Sequence, residues 1–355
     1  MPELKPAGEI AALVKQAAKD AGFELAGIAP VTEFPELSRF PEWIAAGHAG
    51  EMQYLEKRDD AGNLKRASLR SAIPWARSVI VCAINYNTAH PYSTHAQDPD
   101  RGWISRYAWS KQDYHDAVLR RLQRIETCLQ STAKNLQTLC YVDTGPLVER
   151  VYAKYAGVGW IGKNTCILNQ EMGSWLFLGV IITSLELTPD FPAPDRCGSC
   201  TRCIDACPTD ALIAPYQLDS NRCISYLTIE KRGDIPEEFR EGMGRHVFGC
   251  DICQDVCPWN RKAPATQAEE FQPREGLVNP ALEWLAEMTP LEFREKFRGS
   301  PIRRTKHSGL RRNAVIAMGN SGNQGFAPLL EKLAADEDNV LAEHAKWALR
   351  KLASS

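Results

Sequence analysis

The sequence predicts a mixed α/β (α+β) protein with a cysteine-dense module and a helical C-terminal segment. Apolar, β-branched runs alternate with amphipathic helical stretches in the first half of the chain, as in a sheet with helices packed on it. Eight of the twelve cysteines lie between positions 197 and 257, and the residues after about 265 have a helical pattern. The 355 residues are enough for two or three domains.

The elements of the first half follow from local patterns. Ile10, Leu13 and Val14 lie on one helical stripe that ends before Gly22, a suitable residue after a helix. The run 78–84 is typical of a strand buried on both faces. The predicted helices span 9–21, 113–134 and 147–156, and the predicted strands span 23–29, 78–84, 136–142 and 175–183.

Composition divides the chain into three predicted domains. Three prolines between 189 and 194 follow the α/β domain, which is predicted over 1–187. A cysteine-dense domain is predicted over 188–264 and a helical domain over 265–355. In the last domain, 313–319 and 344–350 share an Ala-x-x-Ala pattern that resembles short HEAT-type repeats. Two copies leave an ordinary helical tail as the alternative.

Charge and hydropathy exclude several protein classes. Hydrophobic residues make up 44% and charged residues 24% of the chain, which excludes wholesale disorder. The net charge of −2 provides no global basic field, so a nucleic-acid partner would need a local patch. The apolar stretch 175–182 is too short to span a membrane. The N-terminal residues resemble neither a signal peptide nor a twin-arginine leader, so a cytoplasmic protein is expected.

The cysteine spacing indicates iron–sulfur chemistry. Residues 197–208 read C-x₂-C-x₂-C-x₃-C-P, the bacterial ferredoxin run for a [4Fe–4S] cluster. Residues 250–258 repeat the pattern without its first cysteine, which Cys223 can supply. In such runs the fourth cysteine serves the other cluster. The predicted ligands are therefore Cys197, Cys200, Cys203 and Cys257 for one cluster and Cys207, Cys223, Cys250 and Cys253 for the other.

Two structural zinc sites are the alternative, since paired C-x₂-C motifs also occur in zinc ribbons. Zinc explains neither the third cysteine of the run nor the proline after each terminal cysteine. Two adjacent clusters form an electron conduit, so the electrons are expected to reach chemistry in the α/β domain.

Asp143 is the candidate acid or base of that domain. It follows a predicted strand in Val-Asp-Thr-Gly, and ligands of α/β sheets bind beyond the carboxyl ends of strands. A turn-forming aspartate is the alternative. The G-x-G-x-x-G sequence at 157–162 follows a predicted helix, which disfavours a dinucleotide site. It suits close backbone approach to a large planar or anionic ligand.

A basic segment at 298–312 is the candidate phosphate-binding surface. It contains six basic and no acidic residues, among them Arg303, Arg304 and Arg311, and Lys231 could extend it. The alternative is a solvated loop whose charge is balanced by acidic neighbours elsewhere in the chain.

Several long motifs, in one order, resemble those of the epoxyqueuosine reductases over nearly the whole chain. They are the segments 105–115, 142–145, 156–166, 197–208, 222–225 and 249–258. The resemblance implies cobalamin bound by the α/β domain beside one of two [4Fe–4S] clusters. The implied substrate is a tRNA with an Asp, Asn, His or Tyr anticodon and epoxyqueuosine at the wobble position. The implied reaction is two-electron, two-proton reduction of the epoxide to the cyclopentene of queuosine.

The resemblance also implies roles for individual residues. Asp143 matches the family's proton donor, and Lys231 lies near the family's tRNA contact. The implied cofactor contacts are Arg66, Ser105, Asp143, Ile167, Leu168, Asn169, Leu178, Ser225 and Cys250. The Asp-x-His-x-x-Gly motif of many corrinoid enzymes is not satisfied after Asp113, so no axial histidine from that motif is expected.

A monomer that receives electrons from a flavodoxin- or ferredoxin-type donor is expected. Two other classes remain as alternatives. A corrinoid reductive dehalogenase would share the cofactors but would usually carry a twin-arginine leader. A pure electron-transfer protein would need neither an Asp143 pocket nor a basic segment.

Overall fold

The computed structural model describes residues 6–132 and 135–354. The chain forms two compact units, each assembled from separate segments. The first unit combines Met1–Asn87, Tyr114–Thr201 and Pro258–Thr266; the second combines Thr88–Asp113, Arg202–Cys257 and Gln267–Ser355. This division does not coincide with the three predicted domains. Residues 88–113 leave the α/β region, and the cysteine-dense segment is divided after Thr201, because packing rather than local composition decides which segments associate.

A four-stranded sheet forms the centre of the first unit. The helices of this unit are α1 (Ala7–Asp20), α2 (Pro35–Ala45), α3 (Leu69–Ala72), α4 (Tyr114–Gln130) and α5 (Glu149–Tyr155). Its strands are β1 (Leu25–Pro30), β2 (Ser78–Asn85), β4 (Thr138–Tyr141), β5 (Trp160–Ile161), β6 (Ile167–Leu168) and β7 (Leu176–Thr183), whereas β3 (Trp103–Ile104) belongs to the second unit. The sheet has the order β1-β2-β7-β4, and β5 pairs separately with β6.

Every neighbouring pair in the four-stranded sheet is antiparallel. All eight residues of β2 are buried, as the apolar run predicts. Val118 and Leu122 of α4 pack directly over Gly179 of β7, where a Cβ atom would lie 2.8 Å and 2.9 Å from them. On the other face, α5 packs against alternate residues of β2, including Val81. Helices therefore cover both faces of the sheet and exclude water from β2.

The predicted elements of this unit are present with shifted ends. The long helix predicted over 113–134 is described over Tyr114–Gln130, and its predicted end, Ala133 and Lys134, lies outside the described residues. The antiparallel pairing changes the argument for Asp143, because the rule about carboxyl ends of strands applies to parallel sheets. Asp143 nevertheless follows the end of β4 directly.

The second unit is mainly helical. Its strands are β3 (Trp103–Ile104) and β8 (His246–Phe248), which pair in parallel. Its helices are α6 (Arg202–Asp205), α7 (Ile224–Ile229), α8 (Glu237–Arg240), α9 (Ile252–Asp255), α10 (Leu282–Glu287), α11 (Pro290–Lys296), α12 (Lys306–Asn320), α13 (Ala327–Leu333) and α14 (Asn339–Ala353). None of the helices within the described residues is long and apolar enough to cross a membrane.

The two Ala-x-x-Ala segments lie on α12 and α14, which pack against each other. A Cβ atom on Gly319 would lie 2.8 Å from Ala348 Cα, so the glycine permits the helices to approach closely. Ala314, Ala317, Ala345 and Ala348 are all fully buried. The repeated small residues thus form a helix–helix contact.

Candidate active site

Asp143 stands in the turn after β4 with its side chain exposed. Its backbone is left-handed, with φ of 61°, a conformation that aspartate tolerates better than most residues. The Tyr114 hydroxyl donates a hydrogen bond of 3.1 Å to Asp143 Oδ2. The Tyr114 ring in turn stacks on Phe177 of β7, with centroids 4.4 Å apart and planes at 2°. The start of α4 and the central sheet therefore hold this carboxylate in place.

A second carboxyl group, Glu149, lies near Asp143 at the first position of α5. Burial and then the charge of Asp143 raise the pKa of Glu149 to about 7, while its own backbone amide, Arg66 and Arg150 oppose the shift. Within the described residues, Glu149 Oε1 is shielded from solvent and has no hydrogen-bond partner. Arg66 and Asp143 thus both interact electrostatically with Glu149.

The segment 157–169 builds a compact loop with little room beside its backbone. A Cβ atom on Gly159 would lie 2.3 Å from Leu168 O, so only glycine fits where this loop approaches β6. The Asn169 backbone pairs with Gly173 in both directions, at 2.8 Å and 3.0 Å. Ile167 and Leu168 are buried, and Leu178 of β7 is half-buried. Trp160 Nε1 is also buried without a hydrogen-bond partner in the part of the chain described.

In the second unit, Asp251 organises the surroundings of Ser105. Its carboxylate accepts hydrogen bonds from Ser105 Oγ, from the Arg106 amide at 2.7 Å and from Trp103 Nε1 at 3.0 Å. Gly249 has a φ of +70°, and a Cβ atom there would lie 2.4 Å from Ser105 Cβ. Ser105 and Cys250, both expected to contact the cofactor, therefore lie close together.

Ser225 is on α7, near the same segment. Thr228 of this helix accepts a hydrogen bond of 2.9 Å from the Gly249 amide through its hydroxyl. The second unit thus brings the end of β8 next to α7 and Ser105.

The second unit contains six of the eight predicted cluster ligands. None of these described cysteines takes part in a disulfide bond. Burial, followed by the neighbouring Cys223, raises the pKa of the Cys250 thiol, and Cys207 also contributes. These three predicted ligands of one cluster are therefore near one another. The Ala211 amide donates a hydrogen bond of 3.3 Å to Cys207 Sγ, a contact of the kind that tunes cluster ligands.

Cys197 and Cys200 lie on a loop of the first unit. The Lys163 ammonium group donates hydrogen bonds of 2.7 Å to Gly198 O and 3.0 Å to Cys200 O. Lys163 comes from the glycine-containing loop 157–169, so this loop and the cysteine loop are joined by one side chain.

The basic segment is partly neutralised. Arg304 forms an ion pair with Glu230, and Arg311 is 3.1 Å from Asp336 and also donates to Ala286 O. Arg312 is buried and donates to backbone carbonyls of 227–233. Arg303 is exposed, whereas Lys231 is half-exposed. The acidic partners are distant in the sequence, so the segment alone could not show them.

Three residues of the site were not assigned roles from the sequence: Tyr114, Glu149 and Lys163. Tyr114 belongs to the motif 105–115, but its hydrogen bond to Asp143 depends on how α4 crosses the sheet. A glutamate at the start of a helix is ordinary in a sequence, since it interacts favourably with the helix dipole. Only the fold shows that Glu149 Oε1 is shielded from solvent.

Two family models match the chain. Residues 196–260 match the model described as "4Fe-4S double cluster binding domain". Residues 66–144 match the model described as "Epoxyqueuosine reductase QueG, DUF1730". The first match confirms the prediction of two [4Fe–4S] clusters over the zinc alternative.

Curated relatives cover almost the whole chain. The epoxyqueuosine reductase of Synechocystis sp. is 44% identical over 293 residues, which are 81% of this chain and 98% of the relative. That of Xanthomonas campestris is 37% identical over 96% of both chains. That of Vibrio cholerae is 39% identical, over 96% of this chain and 91% of its own.

Solved structures have the same fold. A crystal structure of epoxyqueuosine reductase with a tRNA-Tyr epoxyqueuosine-modified tRNA stem loop matches with a TM-score of 0.88 and 32% identity, covering 98% of this chain and 91% of that chain. The structure of the Bacillus subtilis epoxyqueuosine reductase, with its catalytic loop swung out of the active site, matches with a TM-score of 0.87 and 31% identity. The match covers 98% of this chain and 91% of that chain. With relatives 37% to 44% identical over most of its length, the chain belongs to the epoxyqueuosine reductase family.

Proposed function

We propose that this protein reduces the epoxide of epoxyqueuosine in tRNA to queuosine, the last step of queuosine biosynthesis. The observation that carries the proposal is the identity of 37% over 96% of both chains to an epoxyqueuosine reductase. The placement of Asp143 supports it, because an exposed carboxyl group held by the Tyr114 hydroxyl can reach a bound substrate. The tRNA stem loop bound by a relative supports tRNA as the substrate.

The described residues fit a large polar cofactor such as cobalamin. A buried polar atom without a protein partner in the described chain, Trp160 Nε1, could be satisfied by an acceptor group of a ligand. The residues proposed to hold the corrinoid are Arg66, Ser105, Asp143, Ile167, Leu168, Asn169, Leu178, Ser225 and Cys250. When bound, cobalamin supplies a strongly reducing centre that delivers electrons to a carbon–oxygen bond.

The chain's own residues supply protons and position. Opening an epoxide leaves a strongly basic alkoxide, which a positioned acid stabilises by protonating it as the bond breaks. Asp143 is proposed to be this acid. The Tyr114 hydroxyl orients the carboxyl group. The tightly packed loop 157–169 is proposed to contact the cofactor through Ile167, Leu168 and Asn169.

The two clusters are proposed to relay electrons from a flavodoxin- or ferredoxin-type donor. From the cysteine spacing, Cys197, Cys200, Cys203 and Cys257 would hold one cluster and Cys207, Cys223, Cys250 and Cys253 the other. A pure electron-transfer protein and a corrinoid reductive dehalogenase are not favoured, because the curated relatives described above are epoxyqueuosine reductases.

For tRNA with an Asp, Asn, His or Tyr anticodon, the proposed contacts are Lys231, Arg303, Arg304 and Arg311. Arg303 is exposed and suited to a phosphate, whereas Arg304 and Arg311 would exchange their carboxylate partners for it. The protein is proposed to act as a monomer.

The function can be tested by expressing this chain in bacteria that lack their own epoxyqueuosine reductase. Nucleosides from total tRNA are then separated and identified by mass spectrometry. Queuosine should replace the accumulated epoxyqueuosine. If epoxyqueuosine persists while the chain is present with both clusters, the proposed function is wrong.

A further inference from the structure

Glu149 is a carboxyl group in an unusual position for a soluble protein. Its Oε1 atom is shielded from solvent and lacks a hydrogen-bond partner among residues 6–132 and 135–354. The charged groups that act on it are Asp143, Arg66 and Arg150, together with its own backbone amide. An ionised carboxylate is poorly solvated in such a place, whereas a protonated one has less charge to solvate.

The neighbouring Asp143 strengthens this preference. Two carboxyl groups that share a site resist ionising together, since the second negative charge is repelled by the first. Arg66 and Arg150 favour the ionised form of Glu149 but do not cancel the effect, since the pKa of Glu149 is raised to about 7. A substantial fraction of Glu149 therefore carries a proton at neutral pH, where an ordinary glutamate carries almost none.

We infer that Glu149 stores a proton beside Asp143 and passes it, through Asp143, to the oxygen that leaves the substrate. The inference rests on the proposed function. Glu149 is less exposed than Asp143 and acts through it, so Glu149 is a positioning and proton-supplying residue that does not touch the substrate.

The proposed role balances the reaction. An epoxide, two electrons and two protons give an alkene and one water molecule, with the electrons arriving through the clusters. Glu149 passes its proton to the Asp143 carboxylate, and Asp143 delivers it to the oxygen as the first carbon–oxygen bond breaks. The second proton enters from solvent through the exposed Asp143 side chain and reaches the same oxygen as the second carbon–oxygen bond breaks and water leaves. Glu149 regains a proton from solvent before the next turnover. An alkoxide is far more basic than either carboxylate, so the transfer from Glu149 is downhill overall.

The first test needs no turnover. Infrared spectroscopy of the holoprotein, labelled with ¹³C-glutamate, should show the carbonyl stretch of a protonated glutamate that disappears as pH rises through about 7. Glu149→Gln should remove this band, and Glu42→Gln, a change at an exposed residue of α2, should leave it. In Asp143→Asn this band should disappear at lower pH, because the Asp143 charge that raises the pKa of Glu149 is absent.

The second test is the pH profile of single-turnover queuosine formation under excess chemical reductant. Since the protonated form of Glu149 is the active one, the parental rate should fall as pH rises through about 7. Glu149→Gln should lower the rate by a factor of about 10 to 100 and abolish this descending limb. Glu42→Gln should reproduce the parental profile.

The outcomes separate this inference from the proposed function. Absence of the titrating band, or its survival in Glu149→Gln, would overturn the inference even if the enzyme makes queuosine. A parental pH profile in Glu149→Gln would overturn it as well. If the band behaves as expected but no queuosine forms, the stored proton stands and the proposed function fails. If Glu149→Gln does not fold, the shift in Asp143→Asn decides, because Glu149 remains in place there.

Discussion

At the scale of single residues, the site depends on two carboxyl groups with different surroundings. Asp143 is exposed, left-handed in its backbone and hydrogen-bonded to Tyr114. Glu149 is half-buried with its Oε1 shielded from solvent, and its pKa is raised to about 7. Asp143 could be singled out from the sequence because its position after a strand is a local feature. Glu149 could not, because its burial depends on how α5 packs against the sheet.

Asp143→Asn keeps the shape of the side chain but cannot donate the proton. Single-turnover queuosine formation under excess reductant should fall by a factor of about 10² to 10⁴, the usual contribution of a general acid. Asp143→Ala, which also removes the hydrogen bond to Tyr114, should be no more active. Both variants should retain iron, cobalamin and tRNA affinity. A near-parental rate in Asp143→Asn would show that the proton comes from water or another residue.

At the scale of elements, the strongest local patterns were reliable predictors. The run 78–84 became a fully buried strand because a β-branched apolar segment suits no other environment as well. The antiparallel order of the sheet was not predictable, since pairing depends on contacts between distant segments. For the same reason, the departure of residues 88–113 to the second unit left no signal in composition.

The cysteine loops give a prediction about cluster ligation. If the fourth cysteine of each run serves the other cluster, Cys257→Ala should damage the cluster begun by Cys197, and Cys223→Ala should damage the other. Anaerobically prepared protein should contain about eight iron atoms per chain, falling towards about four in each variant. Electron paramagnetic resonance of the reduced proteins should show different surviving clusters. The same surviving signal in both variants would rule out the crossed assignment.

His344 on helix α14 should make the stability of the fold depend on pH. His344 is fully buried; its Nε2 accepts a hydrogen bond of 3.2 Å from the Ile235 amide, and its Nδ1 lies 2.6 Å from Val340 O. Burial lowers the pKa of His344 to about 4, despite the opposing Asp234. The neutral ring therefore stabilises the fold above about pH 6.5, its unfolded pKa, and this stability is lost as pH falls towards 4.

The expected loss is on the order of 3 kcal/mol when the histidine is fully protonated. Thermal unfolding of the holoprotein, followed by circular dichroism, should show a midpoint that decreases between pH 7 and pH 5. In His344→Gln, which keeps a hydrogen-bond acceptor, the decrease should be smaller. If the unfolding midpoint decreases with pH equally in the parent and in His344→Gln, the assignment of a buried neutral histidine is contradicted.

At the scale of the whole molecule, a nearly neutral chain must bind a polyanion through a local surface. The net charge is −2, and the segment 298–312 concentrates basic residues, some of them paired with carboxylates. Phosphate contacts release counterions, so binding through this surface must weaken with salt. The sequence alone located the basic residues but could not show which of them form ion pairs with carboxylates of the protein.

Replacing Arg303, Arg304 and Arg311 with alanine should weaken tRNA binding and flatten the plot of log affinity against log salt. Each lost phosphate contact should reduce the slope by about 0.7 to 0.9. Arg311 is half-buried against Asp336, whereas Arg303 is exposed. Replacing Arg311 alone should therefore change the salt slope less than replacing Arg303 alone. Arg350→Ala, at an exposed position of α14, serves as the control. Parental binding by the triple variant at every salt concentration would show that the segment is only a solvated surface.

The central claim is that this chain performs a cobalamin-dependent reduction of epoxyqueuosine in tRNA. The most direct measurement uses the purified holoprotein, with both clusters, and tRNA bearing epoxyqueuosine under a chemical reductant, followed by mass spectrometry of the nucleosides. With cobalamin bound, epoxyqueuosine should be converted to queuosine, and without cobalamin it should persist. Conversion at the same rate without cobalamin, or no conversion by protein that contains iron, sulfide and cobalt, would contradict the account.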